Sequence, residues 1–186
     1  MEYILLGLVV AIIGYIIITY NGLVKARQMV KEAWSGIDVQ LKRRANLIPN
    51  LVDTVKGYAK HEADTLEEVT KMRTAAGNVD SGDVAGRAAA EGMLGMALGR
   101  LMAVAEAYPD LKANENFLDL QNSLETIETE IQMARRYYNG TTRDLNTKIE
   151  SFPSNLIAGQ FGFSQADYFE IEDASERAVP KVGFDT

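Results

Sequence analysis

The chain opens on an unbroken apolar run. Tyr3 to Tyr20 (YILLGLVVAIIGYIIITY) is eighteen residues without a charge, and the next charge after it is Lys25. At a rise of about 1.5 Å per residue, about twenty helical residues cross a hydrocarbon core of ~30 Å. Tyr3 and Tyr20 bracket the run as interfacial aromatics do. The run is apolar on every face, unlike an amphipathic soluble helix. It has neither the basic leader nor the small-residue cleavage site of a secretory signal. Residues 1–22 are therefore expected to form an uncleaved transmembrane anchor.

After the anchor the period changes to seven. Val30, Ile37, Leu51 and Tyr58 form one seam, with Arg44 in its gap, and Trp34, Leu41, Ile48 and Val55 form a second. Such heptads mark a helix that packs against other helices along its length. Pro49 removes a backbone donor and clashes with the Ala45 carbonyl, so a kink is expected between Ala45 and Pro49. Leu66, Val69 and Met72 carry the apolar pattern on, and the arm is expected to reach about Arg73. Arg44 either snorkels to the bundle edge or makes a buried or intersubunit ion pair.

Residues 76–86 (AGNVDSGDVAG) read as a loop. A second helix begins near Ala85, with Leu94, Ala97, Leu101, Val104 or Ala105, and Tyr108 facing inward, and Pro109 ends it. Gly92, Gly95 and Gly99 each cost a helix about 1 kcal/mol against Ala. With Ala88 and Ala103 they are expected to seat a close helix–helix contact. Asp110 to Ala113 reads as a turn and Asn114 as an N-cap. Phe117, Leu124, Ile131, Tyr138 and Leu145 then repeat every seven residues, beside Leu120, Ile127, Ala134 and Thr141. They predict a helix of about 35 residues ending near Glu150, matched in length to the arm. In the last stretch, Ser154 or Asn155 is expected to cap a short helix, and aromatics concentrate.

The fold class expected is all-α: a transmembrane helix continuous with a long-helix antiparallel bundle of about four helices. The domains expected are an anchor (1–22), a bundle (23–151), and an aromatic short-helix cap with an acidic, extended tail (152–186).

Composition narrows the chemistry. There is no Cys and one His, His61, which removes disulfides and thiolate metal sites and argues against His-based catalysis or zinc. The net charge of −7 is asymmetric. Between Lys25 and Lys60, eight Lys/Arg face three acids, whereas residues 61–186 hold eleven Lys/Arg and 22 acids. The overall acidity argues against a nucleic-acid partner, and none is expected. Lys25, Arg27 and Lys31 follow the anchor within headgroup reach, so membrane lipid is the expected partner and the C-terminal side is expected in the cytoplasm. Lys42, Arg43 and Arg44 stand about 30 Å past Tyr20 on a straight arm, beyond a Debye length of ~8 Å. With Asn50 they are expected to make inter-helix or intersubunit polar contacts. Gly7, Ala11 and Gly14 line one face of the anchor for helix packing. Phe152, Phe161, Phe163, Tyr168 and Phe169 are candidate cap or oligomer contacts.

No nucleophile elbow, phosphate loop or zinc-protease pair occurs. The glutamates Glu125, Glu128 and Glu130 lack the His partners of a di-iron bundle. No catalytic, cofactor-binding or metal-binding residue is assigned, and no cofactor is expected.

The stretch YNGLVKARQMVKEAWSGIDVQLKRRANLIPNLVDTVKGYAKHE resembles the signature of the LemA family of bacterial proteins. So do EAYPDLKANENFLDLQNSLETIETEIQMARRYYN and SFPSNLIAGQFGF. The resemblance covers most of the chain outside 76–86 and the extreme tail. It implies one membrane helix in the bacterial inner membrane and a cytoplasm-facing bundle, with no known enzymatic activity. Its patterned polar positions here are Arg43, Arg44, Asn46, Pro49, Asn50, Lys56, Tyr108, Asn114, Arg135 and Asn139. Some family members help build or remodel internal membranes, and others are encoded beside a membrane metalloprotease. The function expected is a non-enzymatic membrane scaffold that forms homo-oligomers. The alternative is a membrane adaptor or signalling protein with a membrane protease partner, serving membrane-protein quality control.

Overall fold

The computed structural model describes residues 1–59 and 61–170. The described residues are all-helical and form six helices. These are α1 (Glu2–Tyr58), α2 (Ala63–Gly77), α3 (Val84–Glu106), α4 (Pro109–Lys112), α5 (Glu115–Glu150) and α6 (Ser154–Gln160). Four of them are long and two are short, against the four expected. The expectation of an extended acidic tail, including Phe184, falls on residues 171–186, outside the described residues.

The chain divides into two compact units, each holding a stretch of α1 and a stretch of α5. The first comprises Met1–Arg44 and Glu125–Tyr168. Here α1 and α5 run antiparallel, because Leu23 shares a cluster with Ile149, Trp34 meets Tyr138, and Arg43 meets Glu130. The heptad residues do the packing: Val30, Ile37, Leu41, Ile131, Tyr138 and Leu145 are all buried.

The second unit comprises Ala45–Leu124 and Phe169–Thr186. Ile48, Leu51 and Val55 of α1 share a core with Leu66 and Val69 of α2, Leu94 and Leu101 of α3, and Phe117 and Leu124 of α5. Helices α2 and α3 pack on each other through the short connection 78–83, where Asp83 caps α3 by accepting from Gly86 N–H at 2.8 Å. Asn114 Oδ1 accepts from Phe117 N–H at 3.0 Å, which starts α5.

Several local expectations need correction. The arm stops at Tyr58 and does not reach Arg73. Leu66 and Val69 continue its apolar pattern only in the sense that α2 brings them to the same core. Gly57 weakens the end of α1, and polar contacts then fasten the turn. Asn114 Nδ2 donates to the Tyr58 hydroxyl at 3.0 Å, and the Tyr108 hydroxyl donates to Glu62 at 3.2 Å. Tyr58 is accordingly exposed at the bundle's edge. The loop expected at 76–86 shrinks to 78–83. The turn expected at 110–113 is helix α4, because Pro109 pre-sets the first helical position. Ser154 does not cap α6; its hydroxyl donates backward to the carbonyls of Lys148 and Ser151 at 2.7 and 2.9 Å.

Two of the α3 glycines also depart from expectation. A Cβ on Gly95 or Gly99 would meet nothing within 4 Å, so neither serves a close contact inside the chain. Leu94, Ala97, Leu98, Leu101 and Ala105 bury the opposite face. Helix α3 is long and apolar enough to cross a membrane, but that buried face marks it as a core helix.

Candidate functional site

The membrane-proximal end of the first unit gathers the anchor, the first basic residues and the aromatic stretch. The anchor side chains are exposed along 1–13, with Gly7 and Ala11 open and Gly14 partly covered. Among the described residues nothing covers 1–13, and an apolar helix this bare fits a lipid-facing segment.

Leu23 lies buried in a small cluster with Ile157, Ala158 and Phe163, against which Ile16, Val24 and Ile149 pack. Tyr20 meets Phe161 and Phe163 edge-on, with ring centroids 4.9 and 5.7 Å apart. The Arg27 guanidinium sits 4.9 Å from the Phe163 ring centre, a cation–π geometry. Lys25 and Lys31 are exposed beside it. Of the aromatics singled out in the sequence, Phe161 and Phe163 are thus brought onto α1, whereas Phe152 stands clear, 79% exposed. Tyr168 is exposed and Phe169 is buried.

Two residues hold the segment after α6: Asn146, to which the sequence assigned no role, and Tyr138, expected only as a seam residue. Asn146, buried on α5, donates from Nδ2 to the Ala166 carbonyl and accepts the Ala166 N–H on Oδ1, both at 2.9 Å. The buried Tyr138 donates its hydroxyl to the Asp167 carbonyl at 2.8 Å while its ring lies 5.5 Å from Trp34. Burial raises the Tyr138 phenol above its ordinary range; Thr142 lowers it and Asp167 raises it by smaller amounts. A polar residue next to an apolar heptad position, as Asn146 is to Leu145, was the signal available.

The basic cluster of the arm is consumed largely within the chain. Arg44 is only 2% exposed and donates to Glu128 at 2.7 Å. Arg43 pairs with Glu130 across the same two helices, and Lys42 pairs with Asp38 along its own helix at 2.6 Å. Asn50 is exposed, and its carbonyl accepts from Thr54. With Arg44 buried and Glu128 partly exposed, this pair is by itself weak ground for stability. On α3 the buried carboxylate Glu91 accepts from Arg87 Nε at 2.8 Å.

Among the described residues, no cluster of three or more His, Asp or Glu side chains is placed to hold a metal ion. What the second unit does present is the outer face of α3. Ala85, Ala89, Met96, Gly99 and Ala103 all lie exposed there at spacings of three, four or seven, with Met93 and Arg100 flanking them.

These features can be set beside known proteins. The model of the LemA family matches residues 33–184, the chain beyond its anchor. Magnetosome protein MamQ 2 of Paramagnetospirillum magneticum is 30% identical over 195 residues, covering 92% of this chain and 72% of that protein. Magnetosome protein MamQ of Magnetospirillum gryphiswaldense is 25% identical over 194 residues, 91% and 71% of the two chains. Protein LemA of Metamycoplasma hominis is 29% identical over 166 residues, 89% and 73%. An apolar N-terminal helix together with these relatives fits a membrane-anchored protein. With an all-helical architecture and a family match over most of its length, the chain belongs to the LemA family.

Proposed function

We propose that this protein is a non-enzymatic scaffold of the bacterial inner membrane, with its N-terminus outside and its bundle in the cytoplasm, whose copies associate to organise or remodel the membrane. The observation that supports it most is the outer face of α3. Met93 and Met96 are 51% and 61% exposed, and Gly95 and Gly99 have open space above them. A chain of net charge −7 repels its own copies over most of its surface. The face from Ala85 to Ala103 is nearly uncharged and lined by small side chains, so a second α3 can approach closely there. The anchor holds copies in one plane and raises their local concentration. Relatives named as magnetosome proteins are consistent with a role at membranes.

The test is the mass of the full-length protein in detergent across a wide concentration range, with and without Met96→Glu. The scaffold reading expects an oligomer that Met96→Glu dissolves into monomers. A strict monomer at every concentration sinks it. Crosslinking in cells separates the scaffold from an adaptor: ladders of self-adducts support the first, and one dominant foreign adduct, a membrane protease included, supports the second.

A further inference from the structure

We propose that α6 and its flanking turns form a second membrane contact, dipping into the same leaflet as the anchor. The proposal rests on the reading of α1 as a membrane anchor and goes beyond it. A groove of about 380 Å³ is lined by Ile12, Tyr15 and Ile16 of α1 and by Pro153, Leu156 and Ile157 around α6. Those α1 residues lie four to eight positions back from Tyr20, about 6–12 Å toward the bilayer centre along the helix. A side chain level with Ile12 and Ile16 is level with lipid. Interfacial helices bury their apolar faces by about 5–10 Å at the headgroup boundary, which is the depth this register imposes.

The chemistry of the segment agrees. Residues 151–166 carry no charge. Phe152, Leu156 and Phe161 are 79%, 64% and 52% exposed, and their outward surface continues that of the bare anchor. Of the polar groups in the segment, Ser154 is already satisfied within the chain, as hydrocarbon requires, while Asn155 and Gln160 are exposed. The Ser154 hydroxyl takes up the carbonyls of Lys148 and Ser151 at the end of α5. The cation arrives one step further from the bilayer, where Arg27 covers Phe163 at 4.9 Å. The order along α1 is therefore apolar dip, aromatic ring, then positive charge, which is the order of a leaflet from tails to headgroups.

The chain has no cysteine, so single spin labels can be placed in the full-length protein. Labels go at Phe152→Cys, Leu156→Cys and Phe161→Cys, with Val10→Cys in the anchor and Arg136→Cys, exposed on α5, as references. The protein is reconstituted in phosphatidylethanolamine–phosphatidylglycerol vesicles, and circular dichroism verifies that each variant keeps its helices. The three α6 labels are expected to lose relaxation by a water-soluble nickel chelate and to respond to oxygen, like Val10→Cys and unlike Arg136→Cys. If they stay chelate-accessible while Val10→Cys is protected, the second contact falls and the anchor stands. If Val10→Cys is also accessible, the anchor reading falls and takes the proposal with it. Protection accompanied by spin–spin broadening that disappears on dilution with unlabelled protein assigns the face to a second copy and overturns the proposal.

Discussion

The Arg73 side chain donates from Nε to the carbonyl oxygen of Ala45 at 2.7 Å, and Ala45 is the residue whose helical partner Pro49 cannot supply. Pro49 stands inside α1, which continues through it from Glu2 to Tyr58. A proline in a helix interior leaves the carbonyl four residues back without its N–H and costs about 3 kcal/mol. An arginine from α2 supplies the missing donor. The contact ties α2 to the arm at the weakest point of the arm.

Replacing Arg73 by Met should therefore destabilise the protein by about 1.5–3 kcal/mol, the range for a hydrogen bond to a charged donor. In a Pro49→Ala background the same replacement should cost about 1 kcal/mol or less, since the backbone then serves Ala45 itself. Urea unfolding of the two single variants and the double variant gives the coupling. Additive costs would mean that Arg73 acts through packing alone.

The Arg44–Glu128 pair should behave asymmetrically. Breaking a fully buried pair costs about 3–5 kcal/mol, but Glu128 is 37% exposed and water screens part of its charge. Glu128→Gln is expected to cost about 1–2 kcal/mol on that discount. Arg44→Met, with a stem of similar length at a heptad position, should cost less than Arg44→Ala. Equal losses for the two Arg44 variants in thermal unfolding would show that charge, not seam volume, is what this position contributes.

Alkaline stability should report on Tyr138. Its pKa is raised in the folded protein, first by burial, and Tyr108 is raised first by burial and then by Glu62. The unfolded chain releases these protons near pH 10, before the folded one does. Their contribution to stability is therefore fully present below about pH 10 and is lost as pH rises through the folded values. In Tyr138→Phe the decline above about pH 10 should be shallower, and stability at neutral pH should fall by about 1 kcal/mol with the loss of the bond to Asp167. A parallel alkaline decline in both proteins would assign it to other groups.

Gly99 offers a test of where α3 is used. Its Cβ position is open, so Gly99→Ala should stabilise the isolated chain by about 1 kcal/mol through helix propensity. Gly99→Leu should stabilise the monomer nearly as much, since Leu is close to Ala in helix propensity, yet weaken self-association, because the bulk lies on the outer face. Sedimentation in detergent reads the second effect, and unchanged association in Gly99→Leu would move the interface elsewhere.

The sequence by itself determined the long elements. Repeats of seven in the arm and in α5 required two long helices with matched apolar seams, and an uncharged run from Tyr3 to Tyr20 required a helix apolar on every face, which fits a membrane anchor. Those are one-dimensional signals, carried by residue type and spacing. The LemA family rested instead on the resemblance of whole stretches of sequence, and the family match over residues 33–184 bears it out. What only the tertiary structure decided were the pairings between distant positions. Nothing near Arg73 in the chain says that its guanidinium belongs to Ala45, and nothing near Asn146 says that it grips Ala166. Neither could the period tell that the arm ends at Tyr58, because α2 repeats the apolar pattern while turning back onto the same core. Gly95 and Gly99 of α3 were legible as unusual but not as open to the outside, since the side of a helix that meets the core depends on its neighbours. The level of α6 beside Ile12 and Ile16 follows from the return of α5 along α1, a consequence of antiparallel packing that no local stretch of sequence contains.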